Sequence, residues 1–387
     1  MGGKKKVKVG KRKEVQVVER KKSNLPEQIQ ELEKEISKTK VNKSTERAVG
    51  LLKGKLALLK GKNLKRSAKG KGGDDRFSVR KTGDGTVVLL GFPSVGKSTL
   101  LNKLTNAKSD IGAYAFTTLS AVPGLMKYKY AQIQIIDVPG VVGGAASGKG
   151  RGKEVLTMLR NADLVMILVE AQNLHQYKSL LKEVYDADIR LDQKKPDVVI
   201  TKKERGGISV SSLVKLTKIN KKTIEDIMKM FKMINVDILF REDITLDQFI
   251  DVLENNKIYT KSLNVITKID LVNKLTLKSI SEKIKPCVVV SAETGKGIGD
   301  LREAIYQKLD LIRIFLKEVG KKPDMEEPLI MFKSCSIRDI CEKLHKDFVS
   351  NFRFARVWGK SAKFDGQKYN KMDKNLEDKD VLELHIR

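Results

Sequence analysis

The sequence predicts an α/β fold, a doubly wound and mostly parallel β-sheet interrupted by a small α+β insertion. Three observations predict it. Short apolar runs such as "TVVLL" (86–90), "LVMILV" (164–169) and "LNVIT" (263–267) alternate with helical periodicity over residues 84–185 and 258–312. This is the pattern of buried parallel strands joined by crossover helices. The first run leads directly into "GFPSVGKSTLLNKLT" (91–105), a glycine-bearing turn that continues as a helix. The alternation then lapses over residues 186–257, where "KKERGGISV" and "LTKINKKTIEDIMKMF" read as a basic turn and an amphipathic helix.

Residues 1–80 hold 25 Lys and Arg against 9 Asp and Glu, so +16 of the chain's formal +29 lies in this stretch. The opening "MGGKKKVKVGKRKE" has too little apolar surface to fold alone and reads as a basic arm. Asn24 and Glu27 are spaced as a helix cap, with Leu25, Ile29, Leu32 and Ile36 along one face. "STERAVGLLKGKLALLK" supplies a second helix, which makes a helical hairpin ahead of the linker "AKGKGGDDR". So much positive charge in one place calls for a polyanionic partner, RNA or the ribosome. The competing reading is a solvated lysine-rich tail. Three cysteines without paired metal spacing, and no signal peptide, indicate a reducing, cytoplasmic setting. No apolar run approaches the roughly 20 residues of a membrane span, so no membrane partner is expected.

Within residues 91–98, Gly91, Gly96, Lys97 and Ser98 fit G-x-x-x-x-G-K-[ST]. In that pattern backbone N–H groups wrap phosphates, the lysine reaches the terminal ones and the serine binds Mg2+. Pro93, Ser94, Val95 and Thr99 complete the cradle. "IQIIDVPG" then ends a second apolar strand with Asp137 and Gly140, where a phosphate-loop protein keeps its magnesium-side carboxylate and the glycine that senses the γ-phosphate. Between them "YAFTTLSAVPG" offers Thr118, with Thr117 as its rival, to complete the metal shell. "LNVITKID" presents Thr267, Lys268 and Asp270, and a carboxylate there accepts two hydrogen bonds that guanine offers and adenine does not. Ser291 and Ala292 in "VVVSAETGKGIGDL" would close over the base edge. The nucleotide is therefore GTP or GDP, and Asp270 argues against an ATPase.

Taken together, GFPSVGKS, YAFTTL, DVPG, TKID and SAETGKG resemble the developmentally regulated GTP-binding (DRG) proteins of the Obg group of translation-factor-related GTPases. The likeness runs over nearly the whole chain, including "GGAASGKGRGKEVLTMLRNADLVMILVEA" and "VDILFREDITLDQFIDVLENNKIY". It implies a phosphate-loop GTPase split into residues 84–185 and 258–312, preceded by the arm and hairpin at 1–80. It also implies an insert at 186–257 similar to a ribosomal-protein domain and, at 313–387, a β-grasp-like TGS domain. The insert's own residues suit contact with RNA and a structural spacer equally. A ribosome or RNA partner in translation and a family regulatory protein follow from the resemblance, with a monomer and no DNA specificity expected. Where relatives carry Asn this chain has Thr267, which implies looser bracing of the phosphate loop.

Lys97 and Thr118 are the residues expected to act on the phosphoryl group. Where Ras-like enzymes place a water-orienting Gln after the DxxG glycine, this chain has Val141. Hydrolysis should then be slow alone and depend on a partner, a monovalent cation or a rearranged loop. The resemblance implies stimulation by K+, yet the asparagine that binds such a cation in related phosphate loops is Ser94 here. Two function classes follow: a slow GTPase switch acting on ribosomes or RNA, and a basic RNA-binding protein in which GTP is a nearly inert structural ligand. In "NFRFARVWGKS", strand alternation places Phe352 and Phe354 on one face, as core rather than as a stacking platform, with the arginines left to meet phosphate. The three histidines, 175, 345 and 385, read as surface or packing residues.

Overall fold

The computed structural model describes residues 25–39, 45–68, 83–105, 122–138 and 158–386, which form two compact units. Asn24, half of the expected cap, lies outside them.

The larger unit contains a sheet of strands β1 (Gly85–Leu90), β2 (Val122–Tyr128), β3 (Ala131–Asp137), β4 (Leu164–Glu170), β5 (Ile189–Leu191), β9 (Ile258–Thr267) and β10 (Cys287–Val289). Its order is β10-β9-β4-β1-β3-β2, with β5 also paired to β9. All pairs are parallel except the β2–β3 hairpin. Both faces are buried, which is why the strands read as unbroken apolar runs. On one face Val88, Ile136, Val165 and Ile266 meet α4 (His175–Asp186) and α7 (Lys274–Lys283) through Leu180 and Ile280. On the other, Val87, Ile133, Met166 and Val265 meet α3 (Lys97–Thr105) and α8 (Ile298–Lys308) through Leu101 and Leu301. From β1 the chain passes to β3 on one side and returns to β4 on the other, so β1 is the switch point at which such sheets open a crevice.

The same unit carries a second sheet of β11 (Leu311–Lys317), β12 (Leu329–Phe332), β13 (Phe352–Trp358), β14 (Gln367–Tyr369) and β15 (Val381–Ile386), in the order β12-β11-β15-β13-β14. One face packs on α9 (Ile337–Leu344), with Ile314, Ile340, Ala355, Val357 and Leu382 in the core. The expectation that Phe352 and Phe354 share a face is wrong. The pairing of β13 with β15 shifts register between them, and such an irregularity exchanges the faces of the residues that follow it. Phe352 packs against the core, whereas Phe354 lies opposite, its ring stacked 4.0 Å from that of His385.

The smaller unit joins α1 (Leu25–Lys38) and α2 (Glu46–Ala68) to a three-stranded sheet of β6 (Val198–Lys202), β8 (Val236–Phe240) and β7 (Ile208–Ser212), flanked by α5 (Lys221–Met230) and α6 (Leu246–Glu254). The hairpin forms as its apolar spacing predicts, and α2 lies on α5 and α6. Ala57 is buried in the same core as Ile227 and Phe249. A Cβ at Gly50 would stand 3.0 Å from Thr223 Cγ2, so glycine there lets the helices approach closely. Arg47 pairs with Asp226 at 2.6 Å and Lys53 with Asp247 at 2.7 Å.

Candidate nucleotide-binding site

The turn after β1 occupies the crevice at the switch point. At Gly91 an added Cβ would lie 2.9 Å from Val95 Cγ1 and 3.0 Å from the Leu168 carbonyl oxygen, so a side chain does not fit. Gly96 has φ +94° and Ser94, despite its side chain, φ 64°. These left-handed turns let the chain double back within six residues and enter α3 at Lys97. Val95 is buried beneath the loop, while Pro93, Ser94, Ser98 and Thr99 face outward. Lys97 is only 8% exposed, and its Nζ donates to the carbonyls of Gly91 and Phe92, both at 3.1 Å. Burial pushes its pKa down, and the charge of Asp137 opposes that fall.

Asp137 ends β3 beside the first turn of α3, where Ser98 Oγ donates to its Oδ2 at 2.7 Å. The other oxygen, Oδ1, is buried and has no hydrogen-bond partner among the described residues. A hydroxyl and a carboxylate with an unsatisfied oxygen are the hard donors Mg2+ selects, so these residues fit that ion. Thr117, Thr118, Gly140 and Val141 lie outside the described residues.

The second half of the site is built where β9 ends. Thr267 is buried, and its Oγ1 lies 2.9 Å from the Val95 carbonyl and 3.4 Å from that of Val169, bonding across to the phosphate loop. The hydroxyl thus braces the loop backbone directly, from the position where relatives carry Asn. Lys268 turns left-handed at φ 55°, and its Nζ meets Glu170 Oε1 at 2.9 Å. Asn173 Nδ2 donates to the other oxygen, Oε2, at 2.7 Å. These bonds, that of Lys268 foremost, hold the Glu170 carboxyl below its ordinary pKa. Asp270 follows, exposed, its pKa lowered first by a hydrogen bond to Ser291. Ser291 is buried in the loop after β10, where its backbone N–H donates to the Lys296 carbonyl at 3.0 Å. Ala292, next to it, packs on the core face that holds Val265 and Leu301. The structure thus brings Lys97, Ser98 and Asp137 together in the half at the end of β1 and β3, and Lys268, Asp270 and Ser291 in the half at the end of β9. Thr267 ties the two.

Residues 86–203 match the family described as "50S ribosome-binding GTPase", 205–311 the "C-terminal region" of that domain, and 312–386 the TGS domain. The chain is 52% identical to a GTP-binding protein of Methanocaldococcus jannaschii over 94% of its own length and 93% of that protein. It is 38% identical to human developmentally-regulated GTP-binding protein 2, over 92% of this chain and 98% of that one. This chain belongs to the DRG family of GTP-binding proteins. A relative of the same kind in Halobacterium salinarum is 40% identical over 94% of this chain.

As a DRG-family member the chain is a GTP-binding GTPase with a phosphate-loop fold and a C-terminal TGS domain. One feature of this DRG site escaped the sequence reading. Glu170, which follows the apolar run 164–169, was not singled out, but β4 and β9 pair in register with Glu170 beside Thr267. A carboxylate ending the strand next to the one that carries TKID was the signal.

Proposed function

We propose that this chain is a slow, Mg2+-dependent GTPase switch that acts on ribosomes or RNA. The observation that carries the reading is the pairing of Ser98 with Asp137, one carboxylate oxygen left buried and unsatisfied, next to a buried lysine. Lys97 is held by carbonyls at the root of the loop, and its ammonium supplies the positive charge that the terminal phosphates require. Ser98 and Asp137 would hold Mg2+, which when bound neutralises phosphate charge. Asp270 reads the two donors on the Watson–Crick edge of guanine, and Lys268 lays its methylene stem along the base. Ser291 orients Asp270, and Ala292 closes the pocket edge. With Val141 in place of a water-orienting Gln, turnover depends on outside help.

Two things support a ribosome or RNA partner: the +16 concentrated in residues 1–80, and the family description itself, which names the ribosome. The insert contributes less, since ten basic and ten acidic residues cancel between 196 and 255. Its role in this reading is to seat the hairpin. Single-turnover GTP hydrolysis, with and without ribosomes and in K+ or Na+, tests the proposal. The unassisted rate should fall well below about 10 per second, the usual enzyme median, and rise with ribosomes. A rate that no partner or cation raises would leave GTP as a structural ligand.

A further inference from the structure

We propose that the outer face of the TGS sheet, over β13, β14 and β15, binds unpaired RNA bases through Phe354 and the cations around it. The inference rests on the RNA partner proposed above and names where on the molecule that contact is made.

The register shift within β13 creates the face. Ala355 and Val357 point into the TGS core, so Phe354, Arg356 and Trp358 line the opposite side. Cross-strand pairing sets His385 beside Phe354, Glu383 and Lys368 beside Arg356, and Lys317 beside Glu383. The other end of the sheet is closed, because Leu311 and Ile330 belong to the core of the nucleotide-binding layer. The β13–β14 end is where the surface opens, with Arg353, Arg356 and Lys368 all exposed.

Its charge is one-sided. Glu383 is the acidic residue on this part of the face, and it is buried and already paired with Lys317 and with His385 Nε2 at 2.7 Å. Arg356 and Lys368 keep their charge for a partner, and Arg353 stands beside them. Phe354 is stacked on His385, and the Lys368 ammonium lies 4.2 Å from the centre of its ring. Trp358 is held more firmly, with Lys317 4.6 Å from its ring and Gly366 so close that a Cβ there would meet Nε1 at 3.2 Å.

Phe354 is therefore the ring that can open. An exposed ammonium over a phenyl ring is a weaker contact than a nucleobase stacked on it. A base can take the place of Lys368, whose ammonium then moves onto the adjoining phosphate. Single-stranded RNA supplies both groups at the spacing of one nucleotide. A duplex keeps its bases stacked on each other and offers phosphate alone.

Anisotropy titrations of the full-length chain with a fluorescent twelve-uridine RNA, repeated over several salt concentrations, test this. Phe354→Ala should weaken binding about tenfold, the scale of one lost base stack, with the salt slope unchanged, and Phe354→Tyr should retain affinity. Arg356→Glu with Lys368→Glu should flatten the slope by about 1.4, two single-strand phosphates at ~0.7 each. GTP binding by each variant reports that it is folded. The proposal is overturned if Phe354→Ala and the double charge reversal both bind as wild type does, or if Phe354→Ala weakens a twelve-base-pair duplex equally. It is also overturned if polyglutamate displaces the RNA while Phe354→Ala has no effect, which would make the face one for acidic protein. Wild-type protein that binds no RNA would remove the broader partner reading with it, whereas wild-type binding that the variants leave intact removes this face alone.

Discussion

In the nucleotide-binding sheet, each group at the site lies within a few residues of the strand that delivers it: Lys97 after β1, Asp137 at the end of β3, Asp270 just past β9. In the unit made by α1, α2 and residues 196–255, the ties run from Arg47 to Asp226 and from Lys53 to Asp247, partners 179 and 194 positions apart. The first region is assembled from local signals placed on a regular scaffold. The second has no local signal of its partner, and its fit depends on a close approach at Gly50. Chemistry in one and packing in the other should therefore fail separately.

Lys97→Ala gives the largest effect. It removes the buried cation of the phosphate half and should lower single-turnover hydrolysis at least about a hundredfold, on the scale of losing a preorganised electrostatic contact. The melting temperature without nucleotide should change little. Hydrolysis near the wild-type rate would mean that another group neutralises the phosphates.

Gly50→Leu tests the other side of the comparison. The added side chain meets Thr223 and Leu246 and should destabilise the smaller unit by about 1–3 kcal/mol through overpacking. Faster amide exchange in α5 and α6, with unchanged GTP affinity, is the expected result. A loss of GTP affinity would show that the two regions do not fail separately.

Glu170→Ala should weaken GTP and GDP alike by about tenfold, because hydrogen bonds to charged groups contribute about 1.5–3 kcal/mol. The mutation releases Lys268, so in a Lys268→Met background it should have almost no effect on nucleotide titrations. Equal losses in both backgrounds would separate Glu170 from the lysine.

The smallest effect concerns Glu303 on α8, which accepts hydrogen bonds from Tyr128 and Lys129 at 2.6 and 2.9 Å. These bonds, that of Lys129 foremost, depress its pKa from 4.5 to about 2. A depressed acid contributes stability above its unfolded pKa and loses it as pH falls through the folded one. The contribution should thus be complete above 4.5 and vanish near 2. Melting curves of wild type and Glu303→Gln should converge across that window, and a constant gap down to pH 2 would refute the assignment.

The phosphate loop and the candidate site around it were legible in the sequence because such a loop demands fixed residue types at fixed distances from strand ends. Gly91 has no room for a side chain, and Ser98 must sit in the first turn of a helix facing Asp137. Glu170 was not legible, since its partner Lys268 comes from a strand paired in space, nearly a hundred positions on. The association of hairpin and insert was hidden for the same reason. Phe354 failed differently: alternation assumes an unbroken ladder, and one irregularity in β13 exchanged core for surface. The tie from Thr267 to the Val95 carbonyl was likewise not legible, since the two residues are 172 positions apart.

The TGS sheet joins the nucleotide-binding layer at the amino ends of its strands. Lys343 bridges Asp84 and the Ile330 carbonyl, and a Cβ at Gly85 would touch Leu309 at 3.3 Å. The phosphate loop begins six residues later, at the other end of β1, roughly 20 Å away at the rise of a strand. The strand between the two ends is fully buried, so the TGS contacts at Asp84 and the phosphate loop sit at opposite ends of β1. On the proposed reading, the outer TGS face would serve as an address whose wording does not depend on the nucleotide, with the clock at the opposite pole of the sheet.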